Sequence, residues 1–402
     1  MKIKVIVSDF PKVTETFAVA NVLHYLEAGH DAEVFHLKPF RKNELVHEHA
    51  VPVVARAFGL PWIGGASGRA LFRVLLRRPN IVFRHILRVF SAFWRNPRHL
   101  AASLVLMPKS LALGLLCRED GTDHIHAEFA GYPATAALLA SEICGRPFSF
   151  SSHAHDIFIT QGLLVKKAKA AAFVRTISEF NNRFLQDLDG FPSDRIRVIR
   201  CGIDPGCAPL PPALRPKDRA LRILFVGSLY PRKGVNHLIT AVSLLEGAFD
   251  YEVRILGDGP CIGELRALAE ELVPGQIQFD GAQKADAVHR AYDWADVVVT
   301  PSVTGEEGRS EGIPVVLMEA LAHGCAVIAS RLSGIPELVE DGSTGILTEP
   351  GDSAAIADAL RQLNADPDHA LALGAAGRAR VLTEYNINKN AADLLTAMKE
   401  CT

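Results

Sequence analysis

An α/β fold in two domains is predicted, and three observations carry it. Short apolar runs alternate with longer amphipathic stretches, the alternation stops at a proline-rich segment, and then it begins again. At 402 residues the chain is too long for one ordinary core and suits two domains of ~200 residues each. Hydrophobic residues at 49% and charged residues at 22% are globular proportions, which excludes disordered, collagenous and coiled-coil readings.

Lys2–Ser8 reads as a short apolar strand, Val13–Glu27 as a helix with Gly29 just past its end, and Ala32–Leu37 as a strand. Strand-like runs recur at His124–Ala127, Pro147–Ser151, Ala172–Thr176 and Arg195–Arg200, with helical stretches such as Ala134–Ile143 between them. This rhythm predicts a parallel sheet covered by helices. The segment PGCAPLPPALRPKDR (Pro205–Arg219) holds five prolines and has linker chemistry. Strands then read at Leu221–Val226, Glu252–Leu256, Ile277–Phe279, Val297–Thr300 and Ala326–Ala329, and helices at Gly234–Leu245, Ile262–Leu272 and Ile313–His323. The expected division is a first domain over 1–205, a linker over 206–219 and a second domain over 220–385, with a C-terminal helix, 386–402, packing back on the first. Ligands of open α/β sheets bind at the carboxyl ends of strands, so two such domains facing each other would form a cleft.

In the second domain, GSLYPRKG (Gly227–Gly234) follows a strand. Gly227 lets the backbone approach a ligand closely, and Arg232 and Lys233 open a helix whose N–H groups, with the two cations, suit a diphosphate. The plain alternative is two solvated basic residues at a helix start. LGDGP (Leu256–Pro260) ends the next strand, and Gly257 and Gly259 leave room for a flat base, although GxGxxG is not completed. In SEGIPVVLMEALAHGCAVIAS, Glu311 stands at a helix entrance and Glu319 eight residues on. A helix rising 1.5 Å per residue separates the two carboxylates by ~12 Å along its axis, roughly the span from hexose hydroxyls to ribose hydroxyls. Glu319 lies among Val315, Val316, Leu317, Met318 and Leu321, and a buried carboxylate needs a partner.

GSLYPRKG, LGDGP, the Glu311–Glu319 spacing and GCAVIASRLSGIPELVEDGSTGILTEPGD together resemble the donor domain of family-4 retaining glycosyltransferases. The resemblance implies the GT-B fold, two Rossmann-like domains facing each other across a nucleotide-sugar cleft. It implies that Arg232 and Lys233 hold the donor diphosphate, Glu311 the hydroxyls of the transferred sugar and Glu319 the ribose. Backbone amides of Gly312 and Ile313 would lie near sugar and phosphate. In the first domain, PFSFSS leads into HAHDIF (His153–Phe158). His and Asp at a strand's end suit a metal, a general base or sugar contacts, or are simply satisfied loop residues. The resemblance implies a sugar contact for His153 and, by position, a role for Asp156. HIHAEFAGYPATAALLA and FPKVTETF are similar to the branch that builds bacterial exopolysaccharides, the colanic-acid type included. Glu128 stands where that branch has a third histidine of its His-x-His-Ala-His run, which also contains His126. Thr14, Glu15 and Thr16 replace a glycine-rich loop. These residues, with His126, Glu128 and Asp156, are the acceptor-side candidates. DLD (Asp187–Asp189) imitates a metal motif at a helix end and is read as solvated; no metal and no cofactor are expected, the donor being a UDP- or GDP-linked sugar.

Net charge is −2, from 43 basic and 45 acidic side chains, yet no acid occurs between His49 and Arg118, where eleven Lys or Arg stand. The rest of the chain therefore carries −13. Arg73, Arg77, Arg84, Arg88 and Arg95 alternate with Leu, Val, Ile, Phe and Trp at helical spacing, which suits an interfacial helix on an anionic membrane over residues 69–98. Core helices with solvated arginines are the alternative. No nucleic-acid partner is expected, since no binding fold accompanies the basic run. No run approaches ~18 apolar residues, Pro108 and Lys109 interrupting the best candidate. Seven scattered cysteines without CxxC read as reduced thiols. The expectation is a cytoplasmic enzyme, peripheral at the inner membrane face, moving a sugar with retention to a lipid-linked saccharide. The rivals are another GT-B enzyme, such as a nucleotide-sugar epimerase or a phosphorylase, and a non-catalytic nucleotide-sugar or membrane-binding module.

Overall fold

The computed structural model describes residues 1–12, 16–41, 50–61, 64–158, 161–207, 214–216, 218–305 and 312–402. They form two compact units, Met1–Cys201 with Ile387–Thr402, and Gly202–Asn386.

The first unit is built on β1 (Lys2–Val7), β2 (Asp31–His36), β3 (Ala57–Phe58), β4 (His124–Ala127), β5 (Phe148–Ser152), β6 (Val174–Thr176) and β7 (Ile196–Val198). All pair in parallel, in the order β3-β2-β1-β4-β5-β6-β7. Its helices are α1 (Thr16–Glu27), α2 (Val51–Val54), α3 (Gly65–Arg77), α4 (Pro79–Phe93), α5 (Pro97–Glu119), α6 (Tyr132–Cys144), α7 (His155–Phe158), α8 (Leu164–Ala170) and α9 (Glu179–Gln186). Both sheet faces are covered, so β1 is buried from Ile3 to Val7, its one buried charge, Lys4, being paired with Glu33 and Asp120. Ile3 and Val5 join Val19, Val22, Leu394 and Leu395, whereas Ile6 joins Leu113, Ala134 and Leu138. The last two leucines come from the C-terminal helix, Ile387–Lys399, which packs on α1 within this unit.

α5 departs from the sequence reading. It runs unbroken for 23 residues through Pro108, and among the described residues it is the one helix long and apolar enough to cross a membrane. Its packing accounts for the composition: α5 lies against α3, α4 and α6, and Lys109, 1% exposed, donates to the carbonyl of Leu37. Burial brings that ammonium down to about 8. Neighbouring helices hold the turn that Pro108 would otherwise weaken.

The second unit carries β8 (Leu221–Val226), β9 (Tyr251–Leu256), β10 (Ile277–Gly281), β11 (Val297–Thr300), β12 (Ala326–Ser330) and β13 (Ile346–Thr348), parallel in the order β10-β9-β8-β11-β12-β13. The helices are α10 (Val235–Ser243), α11 (Ile262–Leu272), α12 (Ala285–Trp294), α13 (Val315–Ala322), α14 (Ile335–Leu338), α15 (Ser353–Ala365) and α16 (Pro367–Glu384), and the helix packed on α1 is α17. Caps are local: Asp352 and Asp366 accept from Ala355 N and His369 N, at 2.9 and 3.0 Å, and Pro367 follows its cap at the first helical position, where no N–H is missed. In each sheet the strand order reverses once, between β1 and β4 and between β8 and β11. The crevice outside the carboxyl ends at such a point is where open α/β sheets take ligands.

Candidate active site

In the second unit the loops after β8, β9 and β11 meet at the reversal point. The glycines there work differently from the sequence reading. A Cβ on Gly257, whose φ is +152, would stand 1.8 Å from the carbonyl oxygen of Gly227, and one on Gly259 would stand 2.5 Å from that of Leu229. Leu229 N donates to Asp258 O at 2.9 Å and Cys261 N to Leu229 O at 3.1 Å. The space freed at both positions is therefore filled by backbone of the neighbouring loop, and the pair of loops becomes one rigid platform. Gly227, at φ +155, supplies the other half of that contact.

Arg232 and Lys233 do not open a helix. They lie on a 3-10 turn, Pro231–Lys233, closed by Gly234 at φ 66, and α10 starts only at Val235. The turn is fastened to the loop after β11, since Val303 N donates to Arg232 O at 2.8 Å and Gly234 packs against the carbonyl of Pro301. The Arg232 guanidinium rests 5.3 Å over the Tyr230 ring. The turn thus places both cations beside the reversal point, fastened to the loop after β11.

α13 begins at Val315 with Pro314 as its cap, so the helical rise of ~1.5 Å per residue applies only from Val315 onward. Glu311 lies outside the described residues. Gly312 and Ile313 lead into α13, with the Ile313 side chain buried among Leu317, Met318 and Leu321, which fixes the backbone at the helix entrance. Glu319 is partly buried, and burial raises its carboxyl pKa while a hydrogen bond from Tyr292 opposes the rise. That bond, Tyr292 Oη to Glu319 Oε2 at 3.0 Å, supplies the partner that burial demands. No spacing in the sequence announces it, because Tyr292 sits on α12.

In the first unit, β4 and β5 carry a buried polar ladder. His124 Nε2 and His126 Nδ1 both meet Ser149 Oγ at 2.8 Å, and His126 Nε2 meets Ser151 Oγ at 2.9 Å. His126 and Glu128 are 0% exposed, a correction to their reading as acceptor contacts: neither side chain reaches solvent. Glu128 accepts from Asn21 Nδ2 at 2.9 Å and lies 3.9 Å from the guanidinium of Arg175. Arg175 in turn donates to the carbonyls of Ile199 and Arg200, both at 2.9 Å. A carboxylate can replace a histidine at position 128 because a buried arginine stands beside it.

His153, at the end of β5, packs between Phe17 and Phe129, its ring centroid 4.7 and 4.9 Å from theirs. Its Nε2 lies 2.9 Å from the carbonyl of Glu128, and a carbonyl only accepts, so Nε2 bears the hydrogen. Burial, with Arg175 adding to it, lowers the imidazole to about 3, leaving it neutral. Asp156 clips two loops together, accepting from His153 N at 2.9 Å and Ala130 N at 2.7 Å; burial raises its pKa and these amides oppose the rise. Thr14 and Glu15 lie outside the described residues, as does the side chain of Thr16.

Asp156 also lines a cavity of about 350 Å³ together with Ser8, Asp9, His99, Phe129 and Tyr132, at the carboxyl ends of β1 and β4. A larger groove of about 900 Å³, lined by Tyr251, Glu252 and Gln276 among others, lies at the amino ends of β9 and β10. The candidate loops lie at the opposite, carboxyl end of that sheet, so this groove is not the candidate site.

Residues 220–366 match the family described as Glycosyl transferases group 1. The chain is similar to the amylovoran biosynthesis glycosyltransferase AmsK of Erwinia amylovora, at 28% identity with 96% of each chain covered. It is 29% identical to the putative colanic acid biosynthesis glycosyltransferase WcaL of Escherichia coli K12, over 99% of this chain and 100% of that one. Among solved structures, Anabaena Alr3699/HepE in complex with UDP matches with a TM-score of 0.75 and 19% identity, over 100% of both chains. With a group 1 domain over 220–366, relatives of matching length and a matching fold, the protein is a glycosyltransferase of the GT-B fold.

Proposed function

We propose that the protein moves a hexose, with retention, from a UDP- or GDP-linked sugar to a lipid-linked saccharide in the synthesis of a bacterial exopolysaccharide. The observation that carries the donor half is the joining of the Arg232–Lys233 turn to the loop after β11 beside the entrance of α13. The names of the relatives that span the whole chain support the polysaccharide. Arg232, Lys233 and the amides at the α13 entrance would stabilise charge growing on the leaving diphosphate, Glu319 would take the ribose, and Glu311 the hydroxyls of the sugar. The bond from the anomeric carbon to the diphosphate oxygen breaks, its electron pair staying with the diphosphate. The acceptor hydroxyl oxygen bonds to the anomeric carbon on the same face, and its proton passes to the departing diphosphate. His153 fits this route as a fixed neutral group, because an imidazole near 3 is too weak a base to take the acceptor's proton. No resident metal is assigned a step. The cavity beside Tyr132 is the proposed seat of the acceptor sugar.

The membrane assignment rests on α3 and α4. α4 buries Ile81, Val82, His85 and Val89, yet Phe83, Leu87, Phe90 and Trp94, at helical spacing on another face, are each more than half exposed. Phe72 and Leu76 of α3 are exposed too. Acids from distant segments balance part of the charge, a correction to the view from the run alone. Arg73 pairs with Glu119 at 3.1 Å and Arg88 with Glu142 at 2.6 Å. Arg69, Arg77 and Arg98 form no ion pair among the described residues. An apolar stripe with cations around it fits the boundary of an anionic leaflet, which would keep the enzyme peripheral on the cytoplasmic face.

The test is to incubate the protein with UDP- and GDP-sugars and follow nucleotide release. Release that persists undiminished in Lys233→Ala would overturn the site assignment.

A further inference from the structure

Tyr292 belongs to α12, outside every loop considered above, and is 1% exposed. Its ring packs in the cluster that holds Met318 and Leu321, and its single phenolic hydrogen points toward α13. Two oxygens lie in reach, Glu319 Oε2 at 3.0 Å and the carbonyl of Val316 at 3.2 Å. The carboxylate is the stronger acceptor of the two. Tyr292 is itself held. The His323 ring lies 5.3 Å from its ring, and His323 is pinned by Asp293 Oδ1 at 2.8 Å and His289 Nδ1 at 3.0 Å. Cys325 Sγ reaches the carbonyl of Tyr292 at 3.3 Å.

A glutamate on a helix has three rotatable side-chain bonds, and a ligand that requires one rotamer must pay for the loss of the others. Burial raises the phenol pKa well above its ordinary value, so the group remains a donor wherever the protein is folded.

We propose that Tyr292 is a positioning residue of the nucleotide site: by tying Oε2 of Glu319 it holds that carboxylate in one rotamer, with Oε1 left to bond the vicinal hydroxyls of the donor's ribose. The inference rests on the reading that Glu319 takes the ribose, and its test separates the two. The residue acts through Glu319 and touches no part of the nucleotide.

The experiment is calorimetric binding of UDP and GDP and of their 2′,3′-dideoxy analogues to the full-length protein, to Tyr292→Phe and to Glu319→Gln, with each variant's Tm recorded. For the nucleotide that binds, Tyr292→Phe is expected to weaken affinity about ten-fold, the scale of one charge-assisted hydrogen bond and one released side chain. The dideoxy analogue should bind wild type and Tyr292→Phe equally, since it offers nothing for Glu319 to hold. Equal weakening of both nucleotides would mark a merely structural tyrosine and overturn the proposal, as would no weakening of either. If Glu319→Gln distinguishes ribose from dideoxyribose while Tyr292→Phe does not, only the positioning role fails. If wild type binds both sugars equally, or binds neither nucleotide, the ribose reading fails and the proposal with it.

Discussion

Removing Arg175 tests whether Glu128 is a structural carboxylate. Both side chains are within the interior, at 1% and 0% exposure, and 3.9 Å separates the guanidinium from Glu128 Oε2. At an effective dielectric of about 20, that separation corresponds to about 4 kcal/mol of attraction before desolvation is counted. Arg175→Met also leaves the carbonyls of Ile199 and Arg200 without their donor, at about 1–3 kcal/mol together after relaxation. The expected destabilisation is about 3–5 kcal/mol, the range for stranding one member of a buried pair. In a Glu128→Gln background the stranded charge is gone, and the same substitution should cost about 2 kcal/mol, so the coupling is about 2 kcal/mol. Urea denaturation in a Trp294→Phe background, where tryptophan emission comes from the first unit, measures all four corners of the cycle. Effects that add to within about 0.5 kcal/mol would show that the pair is not coupled and that Glu128 must be explained another way.

Three further outcomes are expected. The protein should float with phosphatidylcholine vesicles containing phosphatidylglycerol at low salt, and Leu87→Glu should reduce binding at least ten-fold, the loss of one buried leucine being worth ~1.5–3 kcal/mol; binding that ignores both lipid charge and this substitution would remove the membrane assignment. His85 is 1% exposed, with Nδ1 lacking a hydrogen-bond partner among the described residues, and burial, helped by Arg88, lowers it to about 4. Its folded pKa is below the ordinary value, so stability is intact above pH ~6.5 and falls toward pH 4 by up to ~1.4 kcal/mol per unit; His85→Leu should be the more stable protein, by a margin that widens over that range in thermal melts and does not if the ring is solvated. Gly257→Ala drives a Cβ into the carbonyl of Gly227 and should lose at least ~3 kcal/mol together with nucleotide binding; an unchanged Tm would show that the two loops separate without cost.

The strands of the sheets were legible where apolar runs were long enough to show. β1, β4, β8 and β11 lie where the pattern puts them, whereas β3 and β13, two and three residues long, are too short to carry a period. The unbroken α5 was hidden by Pro108, whose usual effect is overridden by helices packed around it. Motif residues could be found in the sequence but not their local geometry: Arg232 and Lys233 are on a turn, and the glycines of LGDGP serve a neighbouring loop. What sequence spacing cannot express is a partner from another element. Tyr292 for Glu319, Arg175 for Glu128 and Glu142 for Arg88 are each more than twenty residues distant, and each changes what the residue is taken to do.

The central claim is that a donor diphosphate is held on the Arg232–Lys233 turn during sugar transfer. Nucleoside diphosphate release from a panel of UDP- and GDP-sugars, compared between wild type and Lys233→Ala at matched folding, tests it most directly. At least one donor should be turned over by wild type, and the variant should be slower by about a hundred-fold or more, the scale of removing one preorganised charge from a leaving group. Turnover of no donor, or equal turnover by the variant, would contradict the account.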